Sequence, residues 1–474
     1  MNILKALLSA SIALAVTAGS ASAETIRVAI GTQDTTINCA SGGLIVRELK
    51  LLEKYLPHDG KYKNVQYDIV WKNFTSGPPL TNEMVGGKLD IGSMADFPGA
   101  LNAAAFKKTG GRSVFITSLS GSPQGSGNGL VVPIGSSANS LLDLKGKSIS
   151  VPFGSTAHSM ILRALKSAGL DPQRDVNLVS QSPEVGGSAL QSGKIDAHAD
   201  FVPFAELFPY RGFARKIYDG AQANSPTFHG TLVNVEYAKK YPEIVVAFLR
   251  AAIEADRLLS AEPEKYSELI AKTTGIEAEV NYLFHGPLGL QKRDFTFKPE
   301  YRAAVTTAIE TLALLKRNDV PLTADEIIDD SYLREAFRLS GLDYDKALKS
   351  YGKEPLVAKD AKTGKAISDF RRVTQVWVEG EPRIRNYASP ESALFAVQEA
   401  QKAGKKIRVV FVHDHDTGLK LLANLAWFAR QPDGRIDAYL EKATAEKAAQ
   451  QGGGALVSFA STFAATTTTQ RSPR

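Results

Sequence analysis

The apolar and polar positions of this chain come in short blocks whose period switches repeatedly between two and about 3.6 residues. Residues 25–30 are β-branched and alternate, which predicts a strand, and residues 66–71 predict a second. Residues 44–56 carry apolar side chains at 44, 45, 49, 52 and 56, the spacing of one helix face. Past the Gly77-Pro78-Pro79 break, residues 80–85 predict a helix, 90–93 a strand and 98–107 a helix with Pro98 at its start. Residues 114–119 and 129–134 predict strands. The Gly/Ser-rich stretch 120–128 between them suits a hinge, because small residues accommodate backbone rotation.

The pattern then repeats. Strands are predicted at 147–152, 176–179, 195–199, 213–218 and 230–235, and helices at 158–168 and 185–191. Residues 242–348 read as mostly helical, with connections near Gly275 and Gly289. Repeated βα units favour a largely parallel sheet with helices on its faces. Two such series, joined by a chain that leaves and returns, predict two lobes around a cleft. Residues 351–370 are polar and predict a linker. Beyond it, residues 374–378, 407–412 and 455–459 predict strands, and 389–402, 419–429 and 438–450 predict helices. This is a small third unit of α/β or α+β type over 371–460. The Thr-rich residues 461–474 predict a disordered tail.

Composition narrows the class. The chain has 474 residues, 43% hydrophobic and 22% charged, which fits an ordinary globular protein of two to four domains. The net charge of +6 is spread along the chain, whereas a nucleic-acid-binding face shows clustered Lys and Arg. The single Cys39 excludes an internal disulfide and a CxxC metal site. Residues 1–23 combine Lys5, an apolar run over 6–18 and the small-residue site Ala21-Ser22-Ala23, the pattern of a cleaved secretory signal peptide. The mature chain is therefore expected to be exported and soluble.

Five segments, in this order, carry a resemblance: RVAIG at 27–31, FTSGPPLTNEMVGGKLDIGSMADFPGALNA at 74–103, DLKGKSISVPFGSTAHSMILRAL at 143–165, LQSGKIDAHADFVPF at 190–204 and IIDDSYLREAF at 327–337. Together they resemble the nitrate/sulfonate/taurine group of periplasmic substrate-binding proteins that serve ABC importers. The resemblance implies an α/β, two-lobed type II periplasmic-binding-protein fold. Lobe 1 would comprise residues 24–122 and 230–350, and lobe 2 residues 123–229. It implies a non-enzymatic, monomeric receptor in the periplasm, with no cofactor and no nucleic-acid partner. That receptor captures a small anionic solute, a sulfonate, nitrate or similar, and delivers it to an inner-membrane permease.

In open α/β sheets, ligands bind beyond the carboxyl ends of strands, where helix N-termini offer free N–H groups. That rule selects Gln33, Asp34 and Asn38 after the first strand, and Thr75, Ser76 and Gly77 after the second. It selects Asp96 and Phe97 after the third, and Gly154, Ser155 and Thr156 after the first strand of lobe 2. Hydroxyls and amides at helix starts suit an oxyanion; the competing role for each is a helix cap. His158, Asp200 and His229 are expected at the same cleft, with a helix face, a turn and a hinge hydrogen bond as their plainer roles.

The histidines open a second reading, a metal or metal-chelate receptor or chaperone. Besides those at the cleft, His413 and His415 alternate at a predicted strand end beside Asp414 and Asp416, so a divalent metal is conceivable there. The plainer role is a turn stabilised by the Asp residues. The unit around them is similar to NosL, the copper-binding accessory protein of nitrous oxide reductase, in the layout of ASPESALFAV at 388–397, VVFVHDHDTG at 409–418 and EKAAQQGGGALVSF at 446–459. It contains no Met, so copper binding does not carry over with the resemblance. An enzyme on the same fold is a third reading, disfavoured because neither GxSxG nor GxxxxGK[ST] occurs.

Overall fold

The computed structural model describes residues 24–317, 319–350 and 358–463. The expected signal peptide, residues 351–357 of the expected linker and residues 464–474 of the expected tail lie outside the described residues. Lobe 1 begins with strands β1 (Glu24–Thr32), β2 (Val65–Asn73), β3 (Ile91–Ala95) and β4 (Ser113–Ser122). The chain then builds lobe 2 from β5 (Gly129–Pro133), β6 (Ser148–Val151), β7 (Asn177–Ser180), β8 (Ala197–Asp200) and β9 (Ala214–Asp219). It returns to lobe 1 through β10 (Thr227–Asn234) and β11 (Lys292–Arg293).

Lobe 1 is a six-stranded sheet ordered β2-β1-β3-β10-β4-β11, and lobe 2 a five-stranded sheet ordered β7-β6-β8-β5-β9. The βα series pair parallel, β1 with β2 and β3, and β6 with β7 and β8. Both sheets are nevertheless mixed, not largely parallel as repetition alone predicts. The chain leaves lobe 1 along β4 and returns along β10, and it enters lobe 2 along β5 and leaves along β9. Each of these pairs lies side by side, so each runs antiparallel. The interior strand β1 is buried from Val28 to Thr32, as a strand with helices on both faces should be. The expected helix over 44–56 is two short helices, Leu44–Glu48 and Leu51–Tyr55, interrupted where Lys50 takes φ +52.

The C-terminal unit departs most from expectation. It contains β12 (Thr374–Val378), β13 (Arg385–Tyr387), β14 (Ile407–His413), β15 (Lys420–Leu422), β16 (Trp427–Arg430), β17 (Ile436–Tyr439) and β18 (Ala455–Val457). These form two antiparallel sheets, β13-β12-β14-β15 and β17-β16-β18. Residues 419–429, expected as a helix, are β15, a 3-10 turn and β16; residues 438–450 are the end of β17 and the helix Lys442–Gln451. The cause is burial on both faces of the first sheet. Val376, Val378, Val410 and Val412 join the core under the helix Pro390–Lys402. Trp377, Val409, Phe411 and Leu422 join an apolar cluster that continues into lobe 1 through Tyr266, Ile270 and Tyr282. With both faces covered, the period-2 signal disappears, and a short continuous apolar run does not separate strand from helix.

The C-terminal unit is therefore docked on lobe 1. Tyr282 stacks 5.5 Å from Phe411 and lies 5.7 Å from Trp377. Within the expected linker, Lys359 bridges Ala366, and the Asp360 carboxylate accepts from the Thr363 and Ala388 amides. Residues 461–463, expected as part of the disordered tail, end the helix Phe459–Phe463, because Phe463 is buried against Phe428.

Candidate functional site

Two connections join the lobes, residues 123–128 and 220–226. They cross at Gly125, where φ is +94 and a Cβ would lie 2.1 Å from the Ser225 carbonyl oxygen. Only glycine satisfies both demands. The Gly220 amide donates to the Asn128 carbonyl at 2.8 Å and ties one connection to the other. Against this crossing the lobes enclose a cavity of about 40 Å³. Its walls are Asp96 and Phe97 from the helix Asp96–Lys108, Asn128 from the first connection, and Thr156, Ser159 and Arg163 from the helix Thr156–Ser167. At about 10–15 Å³ per water, the space holds a few waters but no organic anion. The lobes are closed down on it: Gly154 of lobe 2 is so near lobe 1 that a Cβ would lie 2.9 Å from Pro78 Cγ, and its φ is +83.

Asp96 and Arg163 dominate the electrostatics. Asp96 is buried and accepts the Phe97 amide at 2.6 Å and the Phe228 amide at 3.4 Å. Burial outweighs these bonds and pushes its carboxyl up to about 7. Arg163 is half-buried and has no ion pair or hydrogen bond among the described residues. Asn128 Oδ1 is likewise buried without a partner. The wall thus offers an uncommitted guanidinium, a free amide oxygen and a carboxyl that readily loses its charge.

Asp96 makes a testable contribution to stability. Its folded pKa lies above the unfolded value of about 3.9. Such an acid opposes folding only where it must ionise, so the cost is absent below about pH 4, grows toward pH 7 and is full above it. Asp96→Asn is expected to match the parent in urea midpoint near pH 4. At pH 8 it should exceed the parent, by at most about 4 kcal/mol. Equal midpoints at both pH values would contradict the buried, charge-averse environment.

The other expected site residues divide. Ser76 and Gly77 open the helix Gly77–Val85 at the closed interface, and Ser76 makes no side-chain capping bond. Thr75 is exposed at the rim. Ser155 is a cap, accepting from the His158 amide at 3.3 Å. His158 Nδ1 accepts from the Gly154 amide at 3.2 Å, and the ring stacks on Phe153 at 4.5 Å; burial and then Arg317 push it down to about 4. Gln33 donates to the Ser93 carbonyl at 2.9 Å inside lobe 1. Asp34 is ion-paired with Arg47 at 2.9 Å and accepts the Thr32 hydroxyl. Asn38 meets His229 at 3.0 Å in a buried nest, and burial pushes His229 down to about 3. None of these three side chains of the first loop lines the cavity.

Asp200 belongs to a different array. Its carboxylate lies 2.7 Å from His198 Nε2, and His198 Nδ1 lies 2.6 Å from the Ser150 hydroxyl. The composition is that of a hydrolytic triad, but all three side chains are fully buried and Gly186 of the helix Pro183–Gln191 lies on the imidazole. No substrate carbonyl can approach it, so it is a packing network between β6 and β8.

The metal-binding expectation for His413 and His415 is not met geometrically. The strand ends at His413, whose Nδ1 lies 2.7 Å from the Val373 carbonyl; burial and then Lys420 push it down to about 4. Asp414 opens a turn by accepting the Thr417 amide and hydroxyl, which carries His415 outward to lie 3.0 Å from Asp416. Among the described residues, no group of three or more His, Cys, Asp or Glu is placed to hold a metal. Cys39 is buried, and burial first, then Asp34, pushes its thiol up.

Sequence reading missed Arg163. The signal was present: positions 156, 159, 160 and 163 fall on one helical face, three to four residues apart, and all line the cavity.

Two α/β lobes, two crossing connections and a cavity between them define the class, a two-lobed solute-binding protein. The NMT1/THI5-like family matches residues 104–266. The taurine-binding periplasmic protein of Escherichia coli (strain K12) is 30% identical over 270 residues, covering 54% of this chain and 80% of that protein. The crystal structure of the periplasmic aliphatic sulphonate binding protein SsuA from Escherichia coli superposes with a TM-score of 0.51 at 26% identity, over 66% of this chain and 99% of that one. The alkanesulfonate-binding protein SsuA from Xanthomonas axonopodis pv. citri, bound to MOPS, shares the fold with a TM-score of 0.52 at 22% identity, over 65% and 99%. This chain belongs to the family of periplasmic taurine- and sulfonate-binding proteins. Among the described residues, no helix is long and apolar enough to cross a membrane.

Proposed function

We propose that this protein is the periplasmic receptor of an ABC importer and captures a small sulfonate between its lobes. The observation that carries the reading is Arg163, a cation without a partner on the wall of the interlobe cavity, which Thr156 at the start of the same helix also lines. A sulfonate accepts a forked guanidinium and backbone N–H groups together. Asp96 is compatible with an anion because its carboxyl, pushed up to about 7, gives up its charge easily. Ser76, Gly77, Phe97 and Thr156 complete the proposed contacts. Lobe closure over the solute excludes water and produces the form that docks on the permease. The receptor acts by binding, not by catalysis, and as a monomer.

We also propose that residues 1–23 are a cleaved export signal and that residues 371–460 are a NosL-like domain. The small-residue site before Glu24 supports the first, and the segment order quoted above supports the second.

Calorimetry of the full chain with ethanesulfonate, taurine and nitrate tests the receptor reading. An anion seated near Asp96 raises its pKa further, so binding at pH 7 is expected to take up protons. The heat should then differ between two buffers of unlike ionisation enthalpy. No binding of any sulfonate would refute the reading.

A further inference from the structure

We propose that the C-terminal domain is a latch on lobe closure: from its seat on lobe 1 it braces the helix and loop that receive lobe 2 and the first connection, touches the second connection directly, and so sets how tightly the cleft holds its solute. The part concerning solute affinity rests on the receptor reading above.

Three bodies meet on the helix Ala278–His285 of lobe 1. Glu279, buried at its start, receives Arg408 of the C-terminal domain through Nε. Arg408 also pairs with Glu268 and lies 4.3 Å over the Trp377 ring. From lobe 2, the Tyr210 hydroxyl faces the same Glu279. Just before the helix, Arg211 of lobe 2 forks onto Glu277 at 2.9 and 3.0 Å and reaches the Gly275 carbonyl at 3.0 Å. Lobe opening moves Tyr210 and Arg211 away from this helix. Arg408 holds the Glu279 carboxylate in place to receive Tyr210.

The loop after the helix carries a second line of contact. Lys420 of the C-terminal domain is buried without an ion-pair partner among the described residues. Its ammonium lies 4.2 Å over Tyr282 and 4.6 Å over Phe411, and it donates to the Pro287 carbonyl at 3.1 Å. Three and four residues on, the same loop grips the first connection. The Leu290 carbonyl accepts the Ser126 hydroxyl at 2.8 Å, and Gln291 donates to the Ser126 carbonyl at 2.6 Å. The second connection is touched directly, where Gln222 donates to Glu441 at 3.0 Å. Hinge motion must change backbone dihedrals within these connections. A body that touches one of them and braces the loop that grips the other in the closed arrangement favours that arrangement, and a ligand selective for it binds more tightly.

The test is a distance measurement on the full chain, with spin labels on cysteines introduced at exposed Lys88 in lobe 1 and Arg174 in lobe 2. Buried Cys39 does not compete for label. Arg408→Gln is compared with Arg383→Gln, which removes a docking contact to Glu264 of lobe 1 that does not involve lobe 2. In solute-free protein, Arg408→Gln is expected to shift the distribution to longer distances, and Arg383→Gln to leave it unchanged. Ethanesulfonate release should quicken about 5- to 10-fold in Arg408→Gln alone. Tyr210→Phe, which cannot disturb docking, should act in the same direction. Parental distances in both Arg408→Gln and Tyr210→Phe, or equal shifts in the two arginine variants, would overturn the latch. If no variant binds ethanesulfonate, the receptor reading falls, and the solute-free distances still decide the latch.

Discussion

Replacing Arg163 with methionine is expected to weaken sulfonate binding about 10- to 100-fold, the range set by losing hydrogen bonds to a charged group at 1.5–3 kcal/mol. The argument rests on what Arg163 does not do. Among the described residues no carboxylate neutralises it and no carbonyl accepts from it, although it lines the cavity. A half-buried guanidinium without a partner is costly unless something supplies the missing charge. Methionine keeps most of the aliphatic stem and its packing, so the solute-free protein should unfold within about 0.5 kcal/mol of the parent. Arg163→Lys keeps the charge but not the planar fork, and should fall between the two. Titration calorimetry with ethanesulfonate reads all three. Parental affinity in Arg163→Met would remove the residue from the site, and loss of thermal stability in the solute-free variant would make it a structural residue.

The two lobes were legible in the sequence because their strands and helices keep distinct periods. Residues 25–30 alternate, 66–71 and 114–119 carry short apolar β-branched runs, and all three are strands; 98–107 and 158–168 keep helical spacing and are helices. The hinge was legible too, since Gly125 and its small neighbours have no other use at such spacing. The C-terminal domain was less legible for one reason, burial on both faces. In β14, Val409 and Phe411 face lobe 1 while Val410 and Val412 face their own helix, so the run 409–412 is apolar throughout. The same doubling hid β15 and β16 behind a helix-like run. A run of consecutive apolar residues within a strand of a small domain is itself a sign that something covers its outer face, and here lobe 1 does. Of the residues that line the cavity, the helix starts at Asp96 and Thr156 are selected by a rule about strand ends. Arg163 lies two turns further along its helix, beyond that rule. Asp34 and Asn38 obey the rule, yet Arg47 and His229 occupy them, and partners distant in sequence leave no local signal.

Lys216→Met is expected to cost about 3–5 kcal/mol at pH 7.5, the penalty for leaving a buried charge unpaired. Lys216 sits on β9 with its ammonium between Glu206 and Asp219, 2.9 Å from the latter, and all three side chains are nearly inaccessible. Burial disfavours the ammonium, and Asp219 and then Glu206 more than restore it, so its pKa is raised. Burial conversely raises Glu206, with Lys216 opposing. Without the ammonium, two buried carboxylates face one another, one of which also accepts the Ala221 amide at the opening of the second connection. The sign of the pH dependence follows. An acid whose folded pKa exceeds its unfolded value of about 4.3 opposes folding above that value and ceases to do so once protonated. The deficit of Lys216→Met in urea midpoint should therefore shrink as pH falls from 7.5 to 5. The double variant Lys216→Met/Glu206→Gln, which removes one of the two charges, should recover most of it at pH 7.5. A deficit equal at both pH values, and unrelieved in the double variant, would assign the loss to packing around the lysine stem and leave the charges without a role.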